Sequence, residues 1–384
     1  MKSKLSGGAR PRMGIERLEQ KQMLAGDVLV SVVGGHLLVT GDAEANQIAV
    51  TSGEEPGSYL IRGLDGTTVH MAGDDGAPAE QASVEVTGVR RDVRIAMGDG
   101  DDVVRIHDAR FRGNVAVTTG QGEDRVLVGL QAPADDAAEG DDAASGVFVR
   151  GSMTIRTGAD NDEVRVAEAT VGLLGIATDG GDDRVVLGAA PEAPPTDGEP
   201  PASAETVGDN ADAEDAHMLR ARGISVLLGD GDDSAALTDV GARAGIAIGG
   251  GEGANRMTLH DVDAGFSLLV SGGRGDAGDD VVLEDVTARV AAVRTGAGAD
   301  HVRIADSAFM ALGVSVGAGD DVVSIAGTRA RWAMFLGGPG EDTLNDGDGN
   351  HFGRKFVRSF ELPAPPMDNG ETSGEGTARV VAVR

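Results

Sequence analysis

Aspartate recurs along this chain just before short runs of alternating apolar residues: Asp102, Asp124, Asp162, Asp183, Asp233, Asp279, Asp300, Asp321 and Asp342. Asn255 takes the same place once. Each follows a glycine-rich corner, and the fullest copy is Gly337–Asn345, GGPGEDTLN. Carboxylates repeated at one place in a fold have two uses. They are hard oxygen donors suited to calcium, which takes about six to eight oxygens from carboxylates and loop carbonyls. They are also acceptors for the amides of their own tight turns, held in solvent as caps. If the corners stack at about 4.8 Å, each neighbouring pair of charges costs on the order of 3 kcal/mol at an effective dielectric near 20, and about 1 kcal/mol in water. A ladder of this kind needs compensation, and both readings stand at this point. Acidic residues inside the corners, such as Asp101, Glu123, Asp182, Asp232, Asp320 and Glu341, raise the charge further.

Other candidates are weaker. A second ladder, Asp108, Glu168, Asp239, Asp261, Asp285 and Asp306, lies six residues on and suits turn formation. His107-Asp108 and His260-Asp261 look like active-site pairs, but they hold equivalent places five coils apart, roughly 24 Å by stacking distance, and cannot cooperate. Gly313–Gly317 fits GxSxG but falls within a repeat strand, not at a strand-turn-helix elbow. Asp346-Gly-Asp348-Gly-Asn350 begins like an EF-hand loop yet lacks the later glycine and the closing glutamate. Basic residues that could hold an acidic sugar read as scattered arginines, and Trp332 and Tyr59 are the sole Trp and Tyr.

The spacing names the scaffold. Successive corner residues are 22, 38, 21, 50, 22, 24, 21, 21 and 21 positions apart, and the two long steps contain obvious insertions. A period near 22 predicts a solenoid. Each unit reads as three short strands, the first unit placing them at Val103–Ile106, around 109–111 and at Val115–Thr118. In that first strand Asp102, Val104 and Ile106 share one face, while Val103 and Arg105 share the other. The expected fold is all-β: a right-handed parallel β-helix of about 22 residues per coil, right-handed by the crossover rule. Ten coils would make a rod about 50 Å long.

Composition agrees. Sixty glycines and 3% aromatics suit a narrow Val, Ile, Leu and Ala core with tight corners. No cysteine is present, so neither disulfides nor thiolate metal sites contribute. The formal net charge is −30. Residues 1–25 carry six basic and two acidic side chains, which leaves 27 basic against 61 acidic, or −34, for the rest. That surface excludes nucleic acid and anionic membranes as general partners and attracts divalent cations. No stretch is long and apolar enough to span a membrane as a helix.

Along the chain, residues 1–27 form a basic, amphipathic leader. Residues 28–97 are strand-rich but irregular and read as first coils plus an N-terminal cap, with Asn46–Val50 a weak copy of the unit. Residues 98–345 carry the repeats. Insertions at 131–146 (five acidic residues, no basic ones) and 188–217 (five prolines, eight acidic residues) are low-complexity and predict disorder. Residues 346–362, with three phenylalanines, predict the closing cap, and 363–384 a tail.

Two resemblances add expectations. The corner unit is similar to the calcium-binding nonapeptide GGxGxDxUx of RTX toxins and related secreted proteins. Gly337–Asn345 matches in full, and Gly250–Thr258 matches except for Asn255. Most other copies lack the first glycine, with Met97, Thr119, Thr157 and Leu228 in its place, and here one copy occurs per coil rather than in direct succession. This resemblance implies calcium at the nine corner aspartates. The run Glu16–Asp27, ERLEQKQMLAGD, resembles the N-terminal element of exported proteins of planctomycete bacteria. It implies export, with processing near Ala25, and a secreted or cell-surface location. The expected function is structural or surface-interacting, with calcium along the corners and extracellular polysaccharide or cell-surface proteins as partners. The alternative is a polysaccharide lyase or hydrolase of the pectate-lyase-like β-helix fold.

Overall fold

The computed structural model describes residues 26–71, 82–130, 146–189, 219–273 and 275–361. The leader, the inner parts of both insertions and the tail lie outside them. The described residues form 26 strands and no helix, joined into a single sheet. From residue 93 onward every pairing is parallel and joins one coil to the next, giving a β-solenoid of stacked coils.

Each coil has three sides. Val103–Ile106 pairs with Arg125–Val128 on the first. Arg110–Phe111 pairs with Phe148–Val149 on the second. On the third, Val115 lies beside Val93 below and Met153 above. Strands thus fall where the alternation predicted them. In later coils the second and third sides merge into one bent strand, as in Ala308–Ser315 and Arg329–Leu336.

The period of two sorts inside from outside. Val104 and Ile106 are buried with their equivalents in every coil but the last, where exposed Asp346 stands at the second position, and the core is one narrow column of mostly Val, Ile, Leu, Ala and Met. Corner glycines are dictated by the stacking. Gly120 has φ +129°, and a Cβ there would lie 1.7 Å from the Gly98 carbonyl oxygen one coil away. Gly338 repeats this at φ +132° and 1.6 Å from the Gly317 oxygen. A side chain at either place would drive the coils apart.

The N-terminal end is closed by strands that break the parallel pattern. Leu37–Thr40 and Gln47–Val50 supply the first coil by pairing in parallel with 93–96 and 103–106. Antiparallel partners then cover it: Asp27–Val33 on His36–Thr40, and Tyr59–Gly63 on Gln47–Ser52. Tyr59 stacks on Phe111 at 5.1 Å and donates its hydroxyl to the Arg110 carbonyl at 2.8 Å. At the other end His351–Arg358 is the last parallel strand, and Phe352 packs edge-on against Phe335 at 6.0 Å.

Candidate functional site

The corner aspartates stand directly over one another, inside the coil. Asp102, Asp124, Asp162, Asp183, Asp233, Asp279, Asp300, Asp321 and Asp342, with Asn255, are at most 3% exposed. They share the face of Val104 and Ile106, as the parity required. Their hydrogen bonds differ from a solvated cap on the residue's own turn. The amide of Asp102 donates to Asp124 Oδ1, that of Asp124 to Asp162, and so on to Asp321 and Asp342. Asn46 enters from the first coil by donating its amide to Asp102 Oδ1. The ten bonds measure 2.7–3.2 Å. Each side chain therefore caps the coil before it, because the strand that follows the corner turns the Cβ inward.

The second carboxylate oxygen is the unusual feature. Oδ2 of Asp102, Asp124, Asp162, Asp183, Asp233, Asp300, Asp321 and Asp342 is buried with no hydrogen-bond partner. Burial pushes five of these carboxyls well up: Asp102 and Asp162 to about 7, and Asp124, Asp233 and Asp321 to about 6. Asp183, Asp279 and Asp300 are raised too, burial again leading. The amide bonds oppose this, and nearby threonine hydroxyls do so only weakly, because Thr119, Thr178 and Thr295 donate to the carbonyls of Thr157, Leu228 and Val316 in the next coil rather than to Oδ2. Neighbouring carboxylates add to it at Asp102, Asp162 and Asp233.

Asparagine shows what the position asks for. Asn255 Oδ1 accepts the Asp233 amide at 3.2 Å, while its Nδ2 donates to the Gly253 carbonyl at 3.2 Å. Asn46 shares the donor half of this pattern, giving Nδ2 to the Glu44 carbonyl at 2.7 Å, while its Oδ1 is buried without a partner. The aspartates have no proton for that second bond in their charged form. As donors the row offers hard, anionic oxygens beside glycine-corner carbonyls, which is calcium chemistry.

A second, outer ladder runs the opposite way. Amides of later coils donate to acids of earlier ones: Glu123 to Asp101 at 3.0 Å, Asp232 to Asp182 at 2.9 Å, Ala254 to Asp232 at 2.8 Å and Glu341 to Asp320 at 2.9 Å. These solvent-facing acids are structural caps as well as added charge.

The ladder six residues on forms turns. Asp108, Glu168, Asp239, Asp261, Asp285 and Asp306 all adopt left-handed φ between 39° and 58°, and Gly327 fills the same place at 60°. His107 Nδ1 lies 3.0 Å from Asp108 Oδ2. His260, Glu284 and Asp285 bring ligand atoms within 4.8 Å of one another on an open surface. Ser315 lies in the strand Ala308–Ser315, so the GxSxG match has no elbow. The EF-hand-like stretch is a closed turn in which Asn350 Nδ2 donates to Asp346 Oδ1, the Gly347 carbonyl and the Ile325 carbonyl.

Sequence reasoning missed one arrangement. Nine of the arginines that read as scattered, Arg110, Arg112, Arg150, Arg220, Arg222, Arg243, Arg289, Arg329 and Arg331, share the second side of the rod. Comparison with known protein families, curated proteins and solved structures returns no match for this chain.

Proposed function

We propose that this chain is an exported, acidic β-solenoid with a structural or cell-surface interaction role, whose inner aspartate ladder takes up divalent cations, calcium first. The observation that supports it is the row of eight buried Oδ2 atoms without a partner. Buried anions in series need a counter-charge, and only two agents suit an all-oxygen row: protons below neutral pH, and a hard divalent cation above it. Asp102, Asp124, Asp162, Asp183, Asp233, Asp279, Asp300, Asp321 and Asp342 would hold it, with corner carbonyls completing the shell. Bound calcium would supply rigidity, tying one coil to the next, and no reaction. Export rests on the ERLEQKQMLAGD resemblance.

Calorimetric melting at pH 8 tests the cation. Millimolar calcium should raise the melting temperature over a chelator control, and the gain should shrink at pH 5, where protons compete. An unchanged melting temperature at pH 8 on adding calcium counts against the ladder as an ion site. The competing reading, a polysaccharide lyase or hydrolase, has one observation in its favour, the His260, Glu284 and Asp285 cluster. Those side chains are exposed or half-buried. Chain cleavage of an acidic polysaccharide that is lost in His260→Ala would establish it.

A further inference from the structure

Arginines line the second side of the rod in two columns. Strand register places Phe111 beside Val149, Val171 beside Ala221, Ala221 beside Ala242, and Ala288 beside Phe309 and then Ala330. The residue after each of these buried positions points outward. That column contains Arg112, Arg150, Arg222, Arg243, Arg289 and Arg331. The column two residues earlier contains Arg110, Arg220 and Arg329. All nine are exposed, and none forms an ion pair among the described residues. In a chain of net charge −30 this is a concentrated cationic stripe. Across the ten coils the two columns hold one acid, Asp263, occupied by the Gly265 amide and the Thr287 hydroxyl.

The arginines fall into three groups, and each lines a groove. Arg110, Arg112 and Arg150 surround one of about 380 Å³, where Phe148 is exposed and Glu54 and Glu55 of the cap also face in. Arg220, Arg222 and Arg243 line one of about 820 Å³. Arg289, Arg329 and Arg331, with His351, line one of about 430 Å³. The groups lie three to four coils apart, about 14–19 Å along the axis at the stacking distance. Within one coil paired arginines are about 7 Å apart. Phe266, beneath Arg289 at 5.6 Å, and Trp332, beneath Arg354 at 4.7 Å, offer exposed ring faces at the border of this side.

We infer that this side of the rod binds a linear anionic polysaccharide lengthwise, through carboxylate or sulfate groups held by the arginine columns. Arginine meets such groups with a planar fork of donors, and the stripe contains no lysine. The ligand must be narrow. The stripe is one short strand wide, and the turn acids Asp108, Glu168, Asp239, Asp261, Asp285 and Asp306 form a ridge along its edge. That ridge repels the flanks of a nucleic-acid duplex but admits a single sugar chain, whose C–H faces pack on the exposed rings. The inference rests on the surface-interaction reading of the rod but not on the cation ladder, so binding is measured in chelator.

The test uses the full chain with fluorescent oligogalacturonate, a heparin oligosaccharide, neutral dextran and a short DNA duplex, at pH 7.5 and low salt. Oligogalacturonate or heparin should bind, with affinity falling as salt rises, and dextran should not. Arg222→Glu with Arg243→Glu should weaken binding by about tenfold or more, given the strength of charge-assisted bonds. Arg94→Glu with Arg303→Glu, on the other two sides, changes net charge equally and should leave binding within about twofold. Circular dichroism and melting confirm that both variants fold. The inference is overturned if neither polyanion binds, if both variants weaken binding alike, or if DNA binds as tightly as the sugars.

Discussion

Replacing Asp233 with asparagine should stabilise the protein at neutral pH in chelator. Asp233 is 1% exposed and accepts the Asp183 amide at 2.8 Å through Oδ1, while its Oδ2 has no partner. Asparagine keeps the acceptor and adds an Nδ2 donor aimed at the corner carbonyl two residues back, the bond that Asn255 makes to Gly253. Burial, followed by neighbouring carboxylates, raises Asp233 from 3.8 to about 6. Holding its charged form therefore costs on the order of 3 kcal/mol. The sign follows from proton linkage. Below pH 3.8 both states are protonated and the group is neutral to stability. Between 3.8 and 6 the unfolded chain loses its proton first, so folding becomes progressively less favourable. Above 6 the penalty is complete. Asp233→Asn should thus gain about 2–3 kcal/mol at pH 8 and close to nothing at pH 4. Melting by calorimetry at both pH values, with wild type alongside, measures this. At about 2 °C per kcal/mol for a chain of this size, the rise at pH 8 should be near 5 °C. The wild type should itself melt higher at pH 5 than at pH 8, since eight ladder aspartates are shifted the same way. A variant that melts lower than wild type at pH 8 in chelator would refute the argument, because the carboxylate would then be contributing more than an acceptor.

The reverse substitution, Asn255→Asp, loses the Nδ2 bond to Gly253 and sets a charge between Asp233 and Asp279; it should cost about 2–3 kcal/mol at pH 8, and much less at pH 4 by the same melting measurement. Gly338→Ala puts a methyl 1.6 Å from the Gly317 carbonyl oxygen at φ +132°. It should destabilise by more than about 3 kcal/mol, visible as a lower urea midpoint for the C-terminal coils, which in a repeat array respond locally.

Much of this was legible because one number, the period, was written into the chain many times. The 22-, 38- and 50-residue steps between corner aspartates return as the sequence separations of the bonds that join them. Parity told which side each residue faces, and it put Asp102 with Val104 and Ile106, the core face. The partner of the carboxylate was not legible. A side chain capping its own turn and one capping the neighbouring coil have the same sequence, and the choice depends on a stacking offset that appears only in three dimensions. The arginines were hidden differently. Arg112, Arg243, Arg289 and Arg331 each lie ten residues after a corner residue, at 102, 233, 279 and 321. Arg150 and Arg222 do not, because insertions precede them, and a periodic signal interrupted by unequal loops looks random until the coils are aligned.

The choice of aspartate over asparagine is the most informative feature of the ladder. Asn255 satisfies the corner with two side-chain bonds and no charge, so asparagine meets the demands of the backbone there as well as aspartate does. Nine of the ten repeat corners carry aspartate instead. Eight of these nine have carboxyls pushed up by burial, and each of the eight leaves the rod less stable as pH rises above the ordinary carboxylate range. A stack assembled this way holds together best where something neutralises the row. Protonation does so in acid, and under the proposed function a divalent cation bridging successive coils would do so at neutral pH. On that reading the stability of the solenoid is tied to the medium around it, while the outer acids cap the amides of the next coil from the solvent side.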